Sequence, residues 1–385
     1  MRIAIVGCGY VADYYVTTLT NHPELELVGV SDQDEGRADR FAKHHGLHRY
    51  RDYAELLADD RVGLVVNLTN PRAHFDVSTA ALDAGKHVYT EKPLATEWPR
   101  AVALVGQAEA AGLVIASAPS TMLGEAAQTL WKLVREGAVG KVCLAYAELD
   151  EGLLHRENYR GWLSASGNAW PFRDEFEVGC TLEHAGYYLT WLAAMFGPAE
   201  SVTSFASCQI PDKSPVPLDP PDTPDFTSGC IRFASGMVVR LTNSIVASHD
   251  HSMRIFGDEG VLRVANCWDM ASPVYLSRWS KYSFRAQRYP TLARLVGLGE
   301  RRQPLVRKAD FHYKTVGSNR CDYARGVAEL AASIREGRPC RLSPRFSLHV
   351  NEITLTLQDP EGMGSPRRLT TTFDPVSPMP WAVGA

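Results

Sequence analysis

No two of the eight cysteines stand in a C-x-x-C pair. Cys8, Cys143, Cys180, Cys208, Cys230, Cys267, Cys321 and Cys340 are scattered through apolar, strand-like contexts, which speaks against a disulfide framework and a structural zinc site and for reduced thiols. No stretch approaches the roughly eighteen uninterrupted apolar residues of a membrane-spanning helix. The first residues carry no charged n-region followed by an apolar h-region, so no signal peptide and a cytoplasmic location are expected. Basic charge is not in excess: a net charge of −4 offers nucleic acid no electrostatic footprint. There is no internal repeat. The 45% hydrophobic and 22% charged residues are those of an ordinary globular protein, and 385 residues are long for one domain.

The most informative stretch is the N-terminus. Arg2 to Val6 is a β-branched run with room for one strand, and it stops at Gly7-Cys8-Gly9 before a helix-compatible segment. Gly7 lets a tight turn form, Gly9 lets the backbone approach a pyrophosphate, and Ala12 lets the helix lie close on the strand. Tyr10 and Val11 complete this Gly-x-Gly-x-x-Ala turn, and the free N–H groups at the helix start face the phosphates. A second β-run, Leu25 to Val30, ends in Ser31-Asp32, where a ribose 2′-hydroxyl needs an acceptor. Asp32 therefore argues for NAD rather than NADP, unless it only caps the next helix. Arg37 nearby would suit a 2′-phosphate.

Strand and helix signals then alternate: helices at Glu35–His45 and Tyr53–Leu57, a strand at Val62–Val66, a helix at His74–Ala84, a strand at His87–Thr90, a helix at Trp98–Ala111 and a strand at Leu113–Ser117. This predicts an α/β fold whose first domain, residues 1–122, is a doubly wound parallel sheet of Rossmann type. Thr69-Asn70-Pro71 lies at the carboxyl end of a strand, where open α/β sheets bind ligands. Glu91-Lys92-Pro93 does too, and there Lys92 is a cation at the mouth of the crevice; by periodicity alone, a surface lysine before a turn explains it as well. A helix at Leu123–Glu136 opens the second domain, 123–385. Candidate strands at Val142–Leu149, Ala199–Gln209, Phe226–Phe233, Gly236–Ser244, His251–Gly257, Gly260–Asn266, Val274–Leu276 and His349–Gln358 predict an α+β domain with a large, mostly antiparallel open sheet.

Within it, Val178 to Phe196 reads as one helix ending at Gly197-Pro198. His184 and Tyr188 are four residues apart and fall on one face, so both can point at one ligand; either, or the neighbouring Tyr187, could act as general acid or base. Arg278 to Lys308, with Lys281, Arg285, Arg294 and the aromatics Trp279, Tyr282 and Phe284, reads as a solvated insertion or a subunit contact.

Taken together, Gly7-x-Gly9-x-x-Ala12, Asp32, Asn70-Pro71-x-x-His74, Glu91-Lys92-Pro93 and His184-x-Gly186-x-Tyr188 resemble the glucose-fructose oxidoreductase / inositol dehydrogenase (Gfo/Idh/MocA) family over essentially the whole chain, as does the segment Asp322 to Gly337. The resemblance implies an NAD(P)-dependent dehydrogenase or reductase that moves a hydride between nicotinamide and a secondary alcohol of a sugar, sugar derivative or cyclitol. NAD would lie across the glycine turn, with its nicotinamide near Asn70, Pro71, His74 and Lys92, and Thr69 and Glu91 would be further cofactor-binding residues. The family lysine falls on Lys92 and the tyrosine variant of the proton-transfer position on Tyr188. His184 stands where relatives commonly have Asp. The loop Glu151 to Glu177, through Arg160, Trp162, Asn168, Arg173 and Asp174, would read the sugar hydroxyls. A homo-oligomer, dimer or tetramer, would form through the C-terminal sheet, with no metal and no nucleic-acid or membrane partner. The alternatives are a glycosidase-type enzyme working by transient oxidation and elimination with retained NAD, an NADP(H)-dependent ketosugar reductase, or a non-catalytic sensor.

Overall fold

The computed structural model describes residues 1–280, 288–289, 291, 299–308, 313–316 and 319–383. Five short apolar runs, β1 (Arg2–Val6), β2 (Glu26–Ser31), β3 (Leu64–Asn67), β4 (His87–Thr90) and β5 (Ile115–Ser117), form a parallel sheet in the order β2-β1-β3-β4-β5. Helices α1 (Ala12–Leu19), α2 (Glu35–His45), α3 (Tyr53–Ala58), α4 (His74–Asp83) and α5 (Trp98–Ala110) connect the strands. The strand order reverses between β1 and β3, so the carboxyl ends of these two strands open onto the crevice in which such sheets bind ligands.

A second sheet of nine strands follows, built on β6 (Val142–Asp150), β7 (Ala199–Ser207), β8 (Phe226–Phe233), β9 (Val238–Ser244), β10 (Met253–Gly257), β11 (Gly260–Val264), β12 (Val274–Arg278) and β13 (Arg301–Gln303), with Arg367–Arg368 at one edge. Among the described residues of this sheet only β6 and β9 pair in parallel; the other pairs are antiparallel. Ala145, Ala147, Leu149, Val239, Leu241, Ile255 and Leu262 are buried on its inner face, and outward-facing residues alternate with them. Helix α6 (Glu125–Arg135) packs there. The expected boundary at 122/123 falls in the turn Thr121–Leu123. The later helices at Arg325–Glu336 and Pro344–Gln358 return to the first sheet, where Gly326 lies against the Tyr89 ring and Asn351 donates to the Ala95 carbonyl at 3.1 Å.

Two expectations are corrected. His349–Gln358 is helix, not strand: it belongs to Pro344–Gln358, where the Ser343 side chain caps the Phe346 N–H and Pro344 opens the first turn. Twelve of its fifteen residues are buried. The helix is wedged between the two sheets, with Ser347 at Ser117 and His349 at Ala199, so it has no polar stripe to reveal a helical period. The single helix expected over Val178–Phe196 is instead the end of α7 (Phe172–Val178), then α8 (Cys180–His184) and α9 (Gly186–Phe196): Gly179 at φ +98° separates α7 from α8, while α8 and α9 follow each other through Ala185, which is itself helical at φ −55° and ψ −33°. Lys281, Tyr282, Phe284, Arg285 and Arg294 of the basic stretch lie outside the described residues. Among the described residues no helix is long and apolar enough to cross a membrane.

Candidate active site

The glycine turn is built as its spacing requires. Gly7 has φ +95°, and a Cβ there would stand 2.6 Å from the carbonyl carbon and oxygen of Leu68, so no other residue fits without displacing backbone. A Cβ on Gly9, by contrast, would meet nothing within 4 Å: the space in front of the turn is open. Ala12 is buried at the start of α1, and Tyr10 and Val11 are half-buried at the turn. Asp32, at the end of β2, does not cap α2; Asp34 does, accepting from the Arg37 N–H at 2.9 Å. The carboxylate of Asp32 instead accepts from the Cys8 N–H at 2.8 Å and the Asp34 N–H at 2.8 Å, and Arg37 grips it through Nε and Nη2 at 2.9 and 2.8 Å.

The loop of the second domain reaches this turn. Asn168, expected to face a sugar, donates to the Cys8 carbonyl at 2.9 Å, and the Ser166 hydroxyl donates to Asp13 Oδ2 at 2.7 Å. His45 Nε2 lies 2.6 Å from the other Asp13 oxygen. Burial would raise the pKa of Asp13, but hydrogen bonds from His45, Ser164 and Ser166 outweigh it and hold the carboxyl at about 2. A depressed carboxyl stabilises the fold above its unfolded value of 3.8, and that stability is lost as pH falls toward about 2. The Asp13→Asn variant is therefore expected to unfold more easily by about 2 kcal/mol at neutral pH. In urea unfolding, the difference from the parent chain should shrink through this acid window; a gap independent of pH would show that the charge is not the cause.

At the crevice, His74 is fully buried, with Nδ1 2.8 Å from the Pro93 carbonyl and Nε2 2.9 Å from the Thr69 carbonyl. Burial lowers its pKa. Both ring nitrogens stand against backbone carbonyls, to one of which the neutral ring donates, so His74 packs the Thr69-Asn70-Pro71 loop against Pro93. Glu91 likewise faces inward, accepting from the Tyr15 hydroxyl at 2.6 Å and the Lys92 N–H at 3.0 Å. These contacts fix the backbone on both sides of Lys92. Asn70 donates to Asp174 at 2.8 Å across the cleft.

The Lys92 ammonium donates to Glu183 on α8. Burial opposes its charge, but Glu183, Glu175 and Glu91 together lift its pKa well above the usual lysine range. Burial and the neighbouring Glu175 charge raise the Glu183 carboxyl by more than Lys92 lowers it. The two directions agree physically: one ammonium is shared by several carboxylates, so the lysine stays charged while one carboxyl holds its proton more readily. His184 Nε2 lies 3.1 Å from Glu175 Oε1, and although burial works against its charge, that contact and the charges of Glu151 and Glu175 raise its pKa.

Residues 1–118 match the family model described as the oxidoreductase family with an NAD-binding Rossmann fold, and residues 127–263 match the GFO/IDH/MocA C-terminal domain. The chain belongs to the Gfo/Idh/MocA family. It is thus an oxidoreductase of the dehydrogenase or reductase type with an NAD-binding Rossmann domain. It is similar to the trans-1,2-dihydrobenzene-1,2-diol dehydrogenase of Bos taurus, 25% identical over 272 residues, covering 70% of this chain and 75% of that one. The fold resembles the WlbA dehydrogenase from Bordetella pertussis, solved with NADH and UDP-GlcNAcA (TM-score 0.69, 16% identity, 97% of this chain and 98% of that one). It also resembles the 3-ketoreductase KijD10 from Actinomadura kijaniata, solved with NADP and TDP-benzene (TM-score 0.69, 18% identity, 93% and 96%).

In this Gfo/Idh/MocA oxidoreductase several expected site residues are placed elsewhere than foreseen. Tyr188 is fully buried, its hydroxyl donates to the His251 carbonyl, and burial pushes its pKa well above the usual range. It does share a side with His184, since the His184 ring meets Trp268 at 5.5 Å and the His251 ring meets the same indole at 4.8 Å. That side is core at Tyr188, however, and the hydroxyl is already spent. Tyr187 packs edge-on against Trp268 at 5.0 Å. Arg173 is drawn to Glu177 at 2.8 Å, Arg160 is exposed, and the Trp162 ring lies tilted against that of Trp170 with centroids 5.2 Å apart. The residues that sequence reasoning missed are Glu183 and Glu175. Glu183 adjoins the singled-out His184, but spacing along one chain does not say which of two neighbours turns toward Lys92.

Proposed function

We propose that this enzyme moves a hydride between a bound nicotinamide, NAD in preference to NADP, and a secondary alcohol or ketone of a sugar, sugar derivative or cyclitol. The observation that carries the reading is Lys92, a charged ammonium at the carboxyl end of β4 in the crevice, backed by Glu183 and Glu175. The open space before Gly9 and the carboxylate at the end of β2 fit a dinucleotide. Gly7, Gly9, Tyr10, Val11 and Ala12 would hold its pyrophosphate, Asp32 its ribose, and Thr69, Asn70 and Pro71 its nicotinamide end. The cofactor, when bound, supplies or accepts the hydride.

Lys92 donates a hydrogen bond to the reacting oxygen and stabilises the negative charge that develops there. In reduction it gives that oxygen a proton. In oxidation the proton leaving the hydroxyl reaches Lys92 as Lys92 passes one on to Glu183, whose proton affinity burial has raised, so the lysine is charged before and after the step. His184, held by Glu175, is the next proton carrier, and Tyr188 positions the His251 segment beside it. A polyhydroxylated ring as substrate is supported by the dihydrobenzene-diol named for the bovine relative and by the UDP-sugar bound to the Bordetella one. A dimer or tetramer through the outer face of the nine-stranded sheet belongs to the same reading. That face carries Arg240 over Tyr146 at 4.2 Å, Arg263 over Tyr275 at 4.3 Å and the exposed Phe205.

A second reading, an NADP(H)-dependent ketosugar reductase, is favoured by one observation, the Arg37 guanidinium at the ribose end. Calorimetric titration of NAD, NADH, NADP and NADPH into cofactor-free protein decides between them. A charge-assisted hydrogen bond from the ribose to Asp32 should favour NAD(H) by about tenfold or more, and Asp32→Ser should erase that preference. Tighter NADP(H) binding by the parent chain would select the second reading, and binding of none of the four would sink both.

A further inference from the structure

One cluster of ligating side chains adjoins the site above, and the chemistry there gives its donor atoms no proton to move. Glu151 follows β6, and His249 and His251 lie in the connection from β9 to β10. The backbones of Asp150 and Asp250 exchange hydrogen bonds of 2.9 and 3.0 Å that bring the two segments together. One oxygen of Glu151 and one nitrogen of each histidine lie within 4.8 Å of one another. His251 is only 2% exposed, yet neither of its ring nitrogens has a hydrogen-bond partner, and neither does Oε1 of Glu151. His251 Nε2 stands 2.9 Å from that oxygen, close enough to pair with it electrostatically, whereas Nδ1 is buried with no partner at all.

Buried polar atoms left in this state are costly, and natural folds rarely leave them so without a third body to satisfy them. Metal bonds of about 2.0–2.2 Å bring neighbouring ligand atoms roughly 3 Å apart, which matches this approach. The donors are two imidazoles and one carboxylate with no thiolate, a set that suits zinc and its neighbours in the first transition row. His249 is exposed and its ring lies 4.1 Å from that of His251, so the cluster has a buried floor and a solvent side by which an ion can enter.

We propose that Glu151, His249 and His251 bind one divalent transition-metal ion of the zinc class. Three protein ligands leave coordination positions open, as in zinc sites that take an exogenous oxygen. The site lies beside His184, since His184 and His251 share Trp268 and the Glu151 charge acts on His184. A hydroxyl or carboxylate oxygen of a ligand in the cleft can occupy an open position. That last step rests on the function proposed above, whereas the metal site does not.

The full chain, stripped with chelator and dialysed, should be titrated with zinc chloride by calorimetry and with cobalt chloride by visible absorption. The same is done for Glu151→Gln, His249→Ala, His251→Ala and, for the separate group Asp13, His44 and His45, for His45→Ala. Expected is one equivalent of zinc retained in His45→Ala, with affinity falling by about a hundredfold or more on loss of a ligand and the cobalt ligand-field bands fading with it. His249 is exposed, so its variant tests the site even if His251→Ala misfolds. Absence of zinc binding, undiminished affinity in both Glu151→Gln and His249→Ala, or loss of binding only in His45→Ala overturns the proposal. NAD titration on the same samples reads the cofactor site separately, so failure of one is told apart from failure of the other.

Discussion

Lys92→Met is expected to lower kcat by roughly two to four orders of magnitude while NAD still binds, because the variant loses the group that meets the reacting oxygen but leaves the glycine turn intact. It should also destabilise the fold. Glu183 remains in the interior without its cation, whereas Glu175 keeps His184, and breaking such a pair costs roughly 3–5 kcal/mol when both members are fully buried. Lys92 keeps 21% of its side chain exposed, so the low end of that range is expected. Adding Glu183→Gln to Lys92→Met removes the stranded charge and should recover part of the lost stability without recovering turnover. Urea unfolding and single-turnover hydride transfer measure the two effects separately. If Lys92→Met turns over like the parent chain, the lysine is only a counter-ion for α8 and the proposed chemistry fails.

The two glycines of the turn should fail in opposite ways. Gly7→Ala places a side chain at φ +95° and its Cβ 2.6 Å from the Leu68 carbonyl, so the turn itself must move. Backbone strain of this kind costs of order 1–3 kcal/mol and overpacking adds a similar amount, so a lower melting temperature and loss of NAD binding are expected together. Gly9→Ala meets nothing within 4 Å and should melt with the parent chain. Its methyl group, however, fills the space in which a pyrophosphate approaches the backbone, so NAD affinity should fall by about tenfold or more. Thermal melts paired with calorimetry give both readings. Unchanged NAD affinity in a well-folded Gly9→Ala protein would show that the cofactor does not use this turn.

The first sheet was readable strand by strand, with two strands starting two residues later than expected, at Leu64 and Ile115. The helices Glu35–His45 and His74–Asp83 and the strand His87–Thr90 lie where periodicity, glycine and the run into Pro93 put them, with ends shifted by a residue at most. Most antiparallel strands of the second sheet were readable too, because a strand with one buried face alternates, but the edge strands Arg301–Gln303 and Arg367–Arg368, with no buried residue, were not. The helix Pro344–Gln358 was not, because burial on all sides removes the polar stripe that distinguishes a helix from the Thr-Leu-Thr-Leu alternation within it.

The sequence by itself determined the α/β class, the two glycines, the carboxylate after β2 and the lysine after β4, since each is signalled by residues within one turn or one strand of it. Only the tertiary structure decided what these groups touch. Lys92 and Glu183 are 91 positions apart, and Asn168 meets Cys8 across 160. Tyr188 shares the right helix face yet spends its hydroxyl on the His251 carbonyl, and Glu151 meets His251 only because β6 and β10 lie side by side. Local periodicity acts over a few residues, whereas the identity of a charge's partner depends on how two sheets and the helices between them close, and no short window of sequence contains that information.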